Sequence, residues 1–311
     1  MMKNPVCVQT GNWYDTMFGD ERVDEAFAFI KCCGFDAVDF NIDHTIPTPV
    51  INRGELTDFY DAPLAEILDR FRPMKEASQR HGVAIAMAHA PFPMYLPGRE
   101  DMAEYLLMAV EKILGVLAFL DCPALVVHPL VHDDKTWEWE HNLQMYRRLI
   151  PAARLTGVKV CLENLFVTRD GRALPRACAD AGEACRYIDL LNAEAGFEAF
   201  GFCFDVGHAN ITGRNLAQDV RTLGKRLTVL HMHDNNGVRD QHMLPLTQKS
   251  SAGVPTDWEG FLQALSEIGY AGPLNFETFA AVDMVPAPLQ PATLRYVAAI
   301  GAYFRDRLLA E

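Results

Sequence analysis

Short apolar runs rich in Val, Ile, Phe and Cys alternate along the chain with longer stretches in which apolar residues recur every three or four positions. The short runs predict strands at Val6–Thr10, Asp36–Ile42, Val83–His89, Ala124–His128, Val158–Glu163, Gly201–Asp205, Leu227–His233 and Leu274–Glu277. The periodic stretches predict helices at Val23–Cys33, Leu64–Arg80, Met102–Leu120, Asn142–Leu155, Gly182–Asn192, Leu216–Gly224, Trp258–Ile268 and Thr293–Leu309. Phe261, Leu262, Leu265 and Ile268 show the helical spacing plainly. Gly34, Gly82, Gly157 and Gly196 each stand between a helix and the next strand, where a left-handed cap is wanted.

Eight strand-then-helix units predict an α/β protein, a single (β/α)8 barrel of the TIM type, with residues 1–311 forming one domain. An open doubly wound sheet would want G-x-G-x-x-G after the first strand, and that motif is missing, so no nucleotide cofactor is expected. Two long segments, Asp43–Pro63 and Asp234–Asp257, follow strands two and seven on the side where barrel active sites form. Trp13, Phe92, Tyr95, Trp137 and Trp139 fall on the same side, as a pocket lining or as packing for the loops.

Composition narrows the function. Half of the 311 residues are hydrophobic and 22% are charged, which excludes disordered and fibrous classes. Lys and Arg total 28 against 41 Asp and Glu, a net charge of −13 that argues against a protein built to grip a phosphate backbone. The longest apolar run, Ile113–Leu120, is too short to span a bilayer, and the N-terminus lacks the features of a signal peptide. Eight cysteines without a C-x-x-C pair read as buried free thiols in a reducing cytoplasm.

The chemistry sits where the strands end. Strand three ends in His89, strand four in His128, strand five in Glu163 and strand six in Asp205, with His208 three residues on. Strand seven ends in His231 and His233, and strand eight in Glu277. Six consecutive strands thus deliver a metal-ligand side chain to one mouth. Mixed oxygen and nitrogen donors suit Mn²⁺, Co²⁺, Zn²⁺ or Mg²⁺, and several carboxylates gathered at one point require a cation. Cys161 and Cys203 stand two residues before Glu163 and Asp205, deeper in the barrel, and read as filling.

The motifs ENL, FDVGHAN, HMHDN and FET, in this order on strands five to eight, resemble those of the xylose isomerase-like barrels, over essentially the whole chain. That superfamily contains sugar and sugar-phosphate isomerases and epimerases, inosose dehydratases and the endonuclease IV class of DNA-repair enzymes. The resemblance implies one divalent metal held by Glu163, Asp205, His231 and Glu277. Alignment with the family's H-x-x-D pattern makes His231 the ligand and leaves His233 nearer the rim, to meet a substrate hydroxyl.

The implied activity is metal-dependent isomerisation or epimerisation of a sugar or sugar derivative, by proton abstraction next to a carbonyl through a metal-stabilised enediolate. Glu163 and Glu277 would form the acid/base pair. A dehydratase or lyase would share the first step and then expel a hydroxyl, with His208 or His233 as proton donor. An endonuclease IV-like abasic-site phosphodiesterase would use nine ligands, adding His89, His128, His208, Asp240 and His242 to the four. In the single-metal reading these five, with His233, serve a second metal or the substrate. The acidic charge, the short segment from His231 to Asp240 and the lack of basic and wedge residues in the loops argue against DNA. A small carbohydrate is the expected partner, with no membrane and no nucleic acid; assembly as a homo-oligomer is left open.

Overall fold

The computed structural model describes residues 2–11, 22–250 and 253–310. Eight parallel strands form the barrel sheet: β1 (Val6–Gln9), β2 (Ala37–Asn41), β3 (Ala84–His89), β4 (Ala124–Val126), β5 (Lys159–Glu163), β8 (Phe200–Asp205), β9 (Leu227–His231) and β10 (Leu274–Phe276). Between β5 and β8 lies an antiparallel hairpin, β6 (Phe166–Arg169) and β7 (Arg172–Pro175). β10 pairs with β1, and the ring closes on the other side of β10 through a parallel bridge from Met232 to Phe276. There the Met232 N–H donates to Asn275 O at 2.9 Å and the Glu277 N–H to Met232 O at 3.1 Å.

The helices in chain order are α1 (Val23–Cys33), α2 (Thr48–Asn52), α3 (Leu64–His81), α4 (Glu100–Phe119), α5 (Lys135–Thr156), α6 (Ala181–Ala195), α7 (Val206–Ile211), α8 (Leu216–Leu223), α9 (Trp258–Glu267), α10 (Phe279–Asp283) and α11 (Gln290–Leu309). The eight expected strands and eight expected helices are all present, most with ends shifted by one to three residues. The largest shift is α5, which starts at Lys135 rather than Asn142 because the Asp134 carboxylate caps it, accepting from the N–H groups of Thr136 and Trp137. The hairpin and α2, α7 and α10 were not expected, and the 43–63 segment is not plain loop, since it contains α2 and two 3₁₀ turns.

Strand periodicity separates the two faces of the barrel wall. In β8, Phe200, Phe202 and Phe204 join the large outer core, where Phe204 lies over Phe261 of α9 at 6.1 Å, while Cys203 turns inward. The inward cluster of Met87, Ala124, Val126, Cys161, Cys203 and Val229 fills the barrel centre, as read for both cysteines. On α1 the buried positions Val23, Ala26, Phe27, Ile30 and Cys33 trace one helical stripe against the sheet. Gly34 and Gly157 take the left-handed caps at φ +102° and +72°, which allow each helix to turn into the following strand. No helix among the described residues is long and apolar enough to cross a membrane.

Candidate metal centre

Two residues above the filled centre, the same strands change character. His231 at the end of β9 is 1% exposed, and its Nδ1 lies 3.3 Å from Glu163 Oε1, 3.5 Å from Glu277 Oε1 and 4.0 Å from Asp205 Oδ2. Three carboxylates therefore converge on one imidazole nitrogen inside the barrel. Ligand atoms about 2.1 Å from one ion stand roughly 3–3.5 Å apart, so these spacings suit a shared cation.

The outer histidines repeat the arrangement. His89 Nδ1–H donates to Ala90 O at 2.7 Å, His208 Nδ1–H to Asn164 O at 2.9 Å, and His242 Nδ1–H to Glu277 O at 3.0 Å. Each bond fixes a tautomer and leaves the Nε2 lone pair turned toward other acceptors. His89 Nε2 meets His128 Nε2 at 3.0 Å, and both approach Glu163 Oε2, at 3.7 and 3.1 Å. His208 Nε2 and His242 Nε2 approach Asp240 Oδ2 at 3.4 and 3.1 Å. Lone pairs facing lone pairs need protons or cations between them. Glu163 Oε2, His231 Nε2, His233 Nδ1 and Asp240 Oδ1 are buried without a hydrogen-bond partner. The donor set thus fits divalent metal, in groups that include His89–His128–Glu163, Glu163–Cys203–His231, Asp39–His231–Glu277 and Asp205–His208–His233.

Protonation in the bare protein shows the same demand for positive charge. Burial opposes the charge on His231, but Cys203, Glu277 and Glu163 outweigh it and hold its pKa well above the usual value. Burial also opposes His208, which Asp205 and Asp240 push up to about 10. His128 goes the other way, lowered by burial. The two glutamates split: burial raises Glu277 to about 7, while His231 and His128 overcome burial at Glu163 and hold its carboxyl well below the ordinary range.

Every expected site residue lies in this cluster, but His233 is not at the rim. It is fully buried, its Nε2 sits 3.2 Å from Asp205, and His242 stacks on its ring at 3.9 Å. Asp240 also closes over it, with Oδ1 3.6 Å from Nε2. His233 therefore supports Asp205 and does not line the cavity. Its place explains Gly207, where an added Cβ would fall 1.8 Å from the His233 ring.

Two groups escaped the sequence reading. Gln9, ending β1, donates Nε2–H to Glu277 Oε1 at 2.6 Å. Asp39, inside β2 and fully buried, accepts from Asn275 Nδ2 at 2.8 Å and lies 3.5 Å from His231 Nε2. A carboxylate between Val38 and Phe40 in an apolar strand is the signal that could have found it, since buried polar residues are the informative ones.

The cage floors a cavity of about 640 Å³. Glu163, His231 and Glu277 form its bottom; Phe92, Tyr95, Leu165, Phe166 and Phe279 form its outer wall. Phe166 of the hairpin packs edge-on to His208, and Phe92 lies 4.7 Å from His128. Of the other expected aromatics, Trp137 stands beside Tyr95, Trp139 packs on Tyr187 instead of the cavity, and Trp13 lies outside the described residues. No lysine or arginine is among the described residues lining the cavity, and residues 12–21 contain none.

Comparison with known proteins agrees with this architecture. Residues 27–300 match the model of the xylose isomerase-like TIM barrel family. An uncharacterised protein of Methanocaldococcus jannaschii is 27% identical over 223 residues, 68% of this chain and 70% of the relative. An uncharacterised protein of Sinorhizobium fredii is 35% identical over 172 residues, which is 54% of this chain and about half (51%) of that protein's length. Among solved structures, a D-tagatose 3-epimerase-like protein superposes with a TM-score of 0.66 at 21% identity, covering 96% of this chain and 98% of that one. A D-allulose 3-epimerase from Methylomonas sp. gives 0.67 at 17% identity, with 99% of each chain covered. At these identities the structures share the fold.

Proposed function

The chain belongs to the xylose isomerase-like TIM barrel family, and from that premise we propose that it is a divalent-metal-dependent epimerase or isomerase of a sugar. The observation that carries the reading is the convergence of Glu163, Asp205 and Glu277 within 4.0 Å of one nitrogen, His231 Nδ1. These four residues would hold the metal, of a kind that accepts mixed carboxylate and imidazole donors: Mn²⁺, Co²⁺, Zn²⁺ or Mg²⁺. When bound, the cation supplies Lewis acidity, polarising a carbonyl and its neighbouring hydroxyl. Epimerases among the solved structures of the same fold, including one described with D-allulose bound, support a sugar as the substrate.

The chain's own groups handle the proton. Glu163 and Glu277 border the cavity floor on either side of His231, so a sugar carbon above that floor meets one carboxyl on each flank. One takes the proton beside the carbonyl and the other returns it, to the opposite face of the same carbon or to its neighbour. Gln9 holds Glu277 Oε1, which leaves Oε2 for that transfer.

The competing reading, an abasic-site phosphodiesterase, is favoured by the lining of one cavity with eight of its nine donors, the ninth, Asp205, being buried behind them. It is opposed by the lack of any lysine or arginine in the described lining, because a nucleic acid brings phosphates beyond those the metals touch. The test is solvent deuterium. Metal-loaded protein incubated with ketoses in heavy water should place label on the carbon next to the carbonyl. Label-free product, or cleavage of abasic DNA without sugar exchange, refutes the epimerase reading.

A further inference from the structure

Beside the main cavity lies a second chamber of about 230 Å³, between α4 and α5. Its volume is that of roughly seven or eight liquid waters, ring-sized rather than water-sized. Met94, Tyr95 and Leu130 line both spaces, so the chamber is a lateral extension of the mouth. One wall is aromatic: Tyr95 stands 5.3 Å from Trp137, and Trp137 stacks on His141 at 3.8 Å and 14°. The rest of the lining includes Glu104, Gln144 and Arg148, groups that meet hydroxyls. Arg148 is forked onto Glu104 at 3.0 and 3.2 Å and lies 3.4 Å from Glu111, so its charge is already matched. His141 Nδ1–H donates to Trp137 O, which leaves Nε2 as an acceptor.

An aromatic wall with polar groups whose carboxylates, Glu100 and Glu104, outnumber Arg148 suits an uncharged sugar ring and gives a phosphate no unpaired cation. Among the described residues, the main cavity is likewise lined by no lysine or arginine. Resting on the sugar reading above, we infer that the substrate is an uncharged two-ring sugar. Its reacting ring lies on the carboxylate–histidine floor and its second ring fills the chamber between α4 and α5.

The probes are D-fructose, fructose 6-phosphate and isomaltulose, a free ketose carrying a second, glucose ring. Calorimetric titration of the metal-loaded full chain should show isomaltulose binding about ten-fold or more tighter than fructose, with the phosphate no tighter than fructose. Ala103 of α4 walls the side chamber and not the main cavity. Ala103→Phe should fill the chamber and bring the isomaltulose-to-fructose ratio to within about three-fold of one. If that variant does not fold, Trp137→Ala, which removes part of the wall, should lower the ratio instead. The inference is overturned if isomaltulose binds no tighter than fructose, if fructose 6-phosphate binds tightest, or if the ratio survives in the folded variant. Deuterium uptake in the same complexes is read separately. Tight isomaltulose binding without label leaves the chamber standing and removes the epimerase reading; label without any affinity difference does the reverse.

Discussion

The barrel interior is two layers, one two residues above the other on the same strands. The lower holds Met87, Val126, Cys161, Cys203 and Val229; the upper holds His89, His128, Glu163, Asp205 and His231. All of these side chains but the half-buried His128 are buried, and both layers obey the inward period of two. What differs is how each is satisfied. The lower layer is filled by apolar and thiol side chains, of which Cys203 comes within reach of Glu163 and His231, whereas the upper layer leaves Glu163 Oε2 and His231 Nε2 buried without partners. One layer is complete in itself and the other is built for a guest.

The largest break in that contrast is expected at Glu277. Glu277→Gln keeps an oxygen for the metal but cannot carry a proton, so turnover should fall about 10²–10⁴-fold with fold and metal retained. Rates within about ten-fold of the wild type, measured with metal content confirmed, would remove Glu277 from proton transfer. Asp39→Asn comes next. Asp39 faces His231 Nε2, and losing its charge should weaken metal binding about 10–100-fold without unfolding the barrel. Metal titration reads this directly, and unchanged affinity would make Asp39 only a partner of Asn275.

Val229→Ala probes the other layer. It should cost roughly 1–3 kcal/mol in denaturant unfolding while metal stoichiometry stays the same. A loss of metal there would mean that the layers are not independent.

The smallest effect is the proton count. Glu277, raised to about 7, is half protonated in the bare protein at neutral pH, His231 is held well above its usual value, and both must give up their protons to a cation. Groups that lose protons on binding make affinity rise with pH, so metal should bind more tightly at pH 8 than at pH 6. Titrations at pH 7 in buffers of different ionisation heat should show release of roughly one to two protons per ion. No release, or affinity that falls with pH, would contradict the charge arrangement.

The contrast between the layers also explains what the sequence revealed. Lower and upper residues share a strand, so runs such as VCLE and FCFD announce both the strand and the donor at its end. The hairpin was equally written in the chain, as Asp170-Gly171 with φ +50° and +72°, a turn pair that joins antiparallel strands. A strand-then-helix rhythm leaves no place for it. His233 was misplaced for a different reason. Parity puts His231 and His233 on the same face, but Asp240 and His242 come from a later loop, and only the folded chain shows them covering the second ring. Gln9 and Asp39 carry no motif; their roles come from neighbours more than two hundred residues away.

Metal content tests the guest-binding layer most directly. Protein purified without chelator and measured by elemental analysis should hold at least one tightly bound divalent ion per chain, lost on Asp205→Ala and retained on His242→Ala. Wild-type protein that takes up no divalent ion, or an Asp205→Ala variant that keeps the full complement, would contradict the assignment of Glu163, Asp205, His231 and Glu277 as the metal cage.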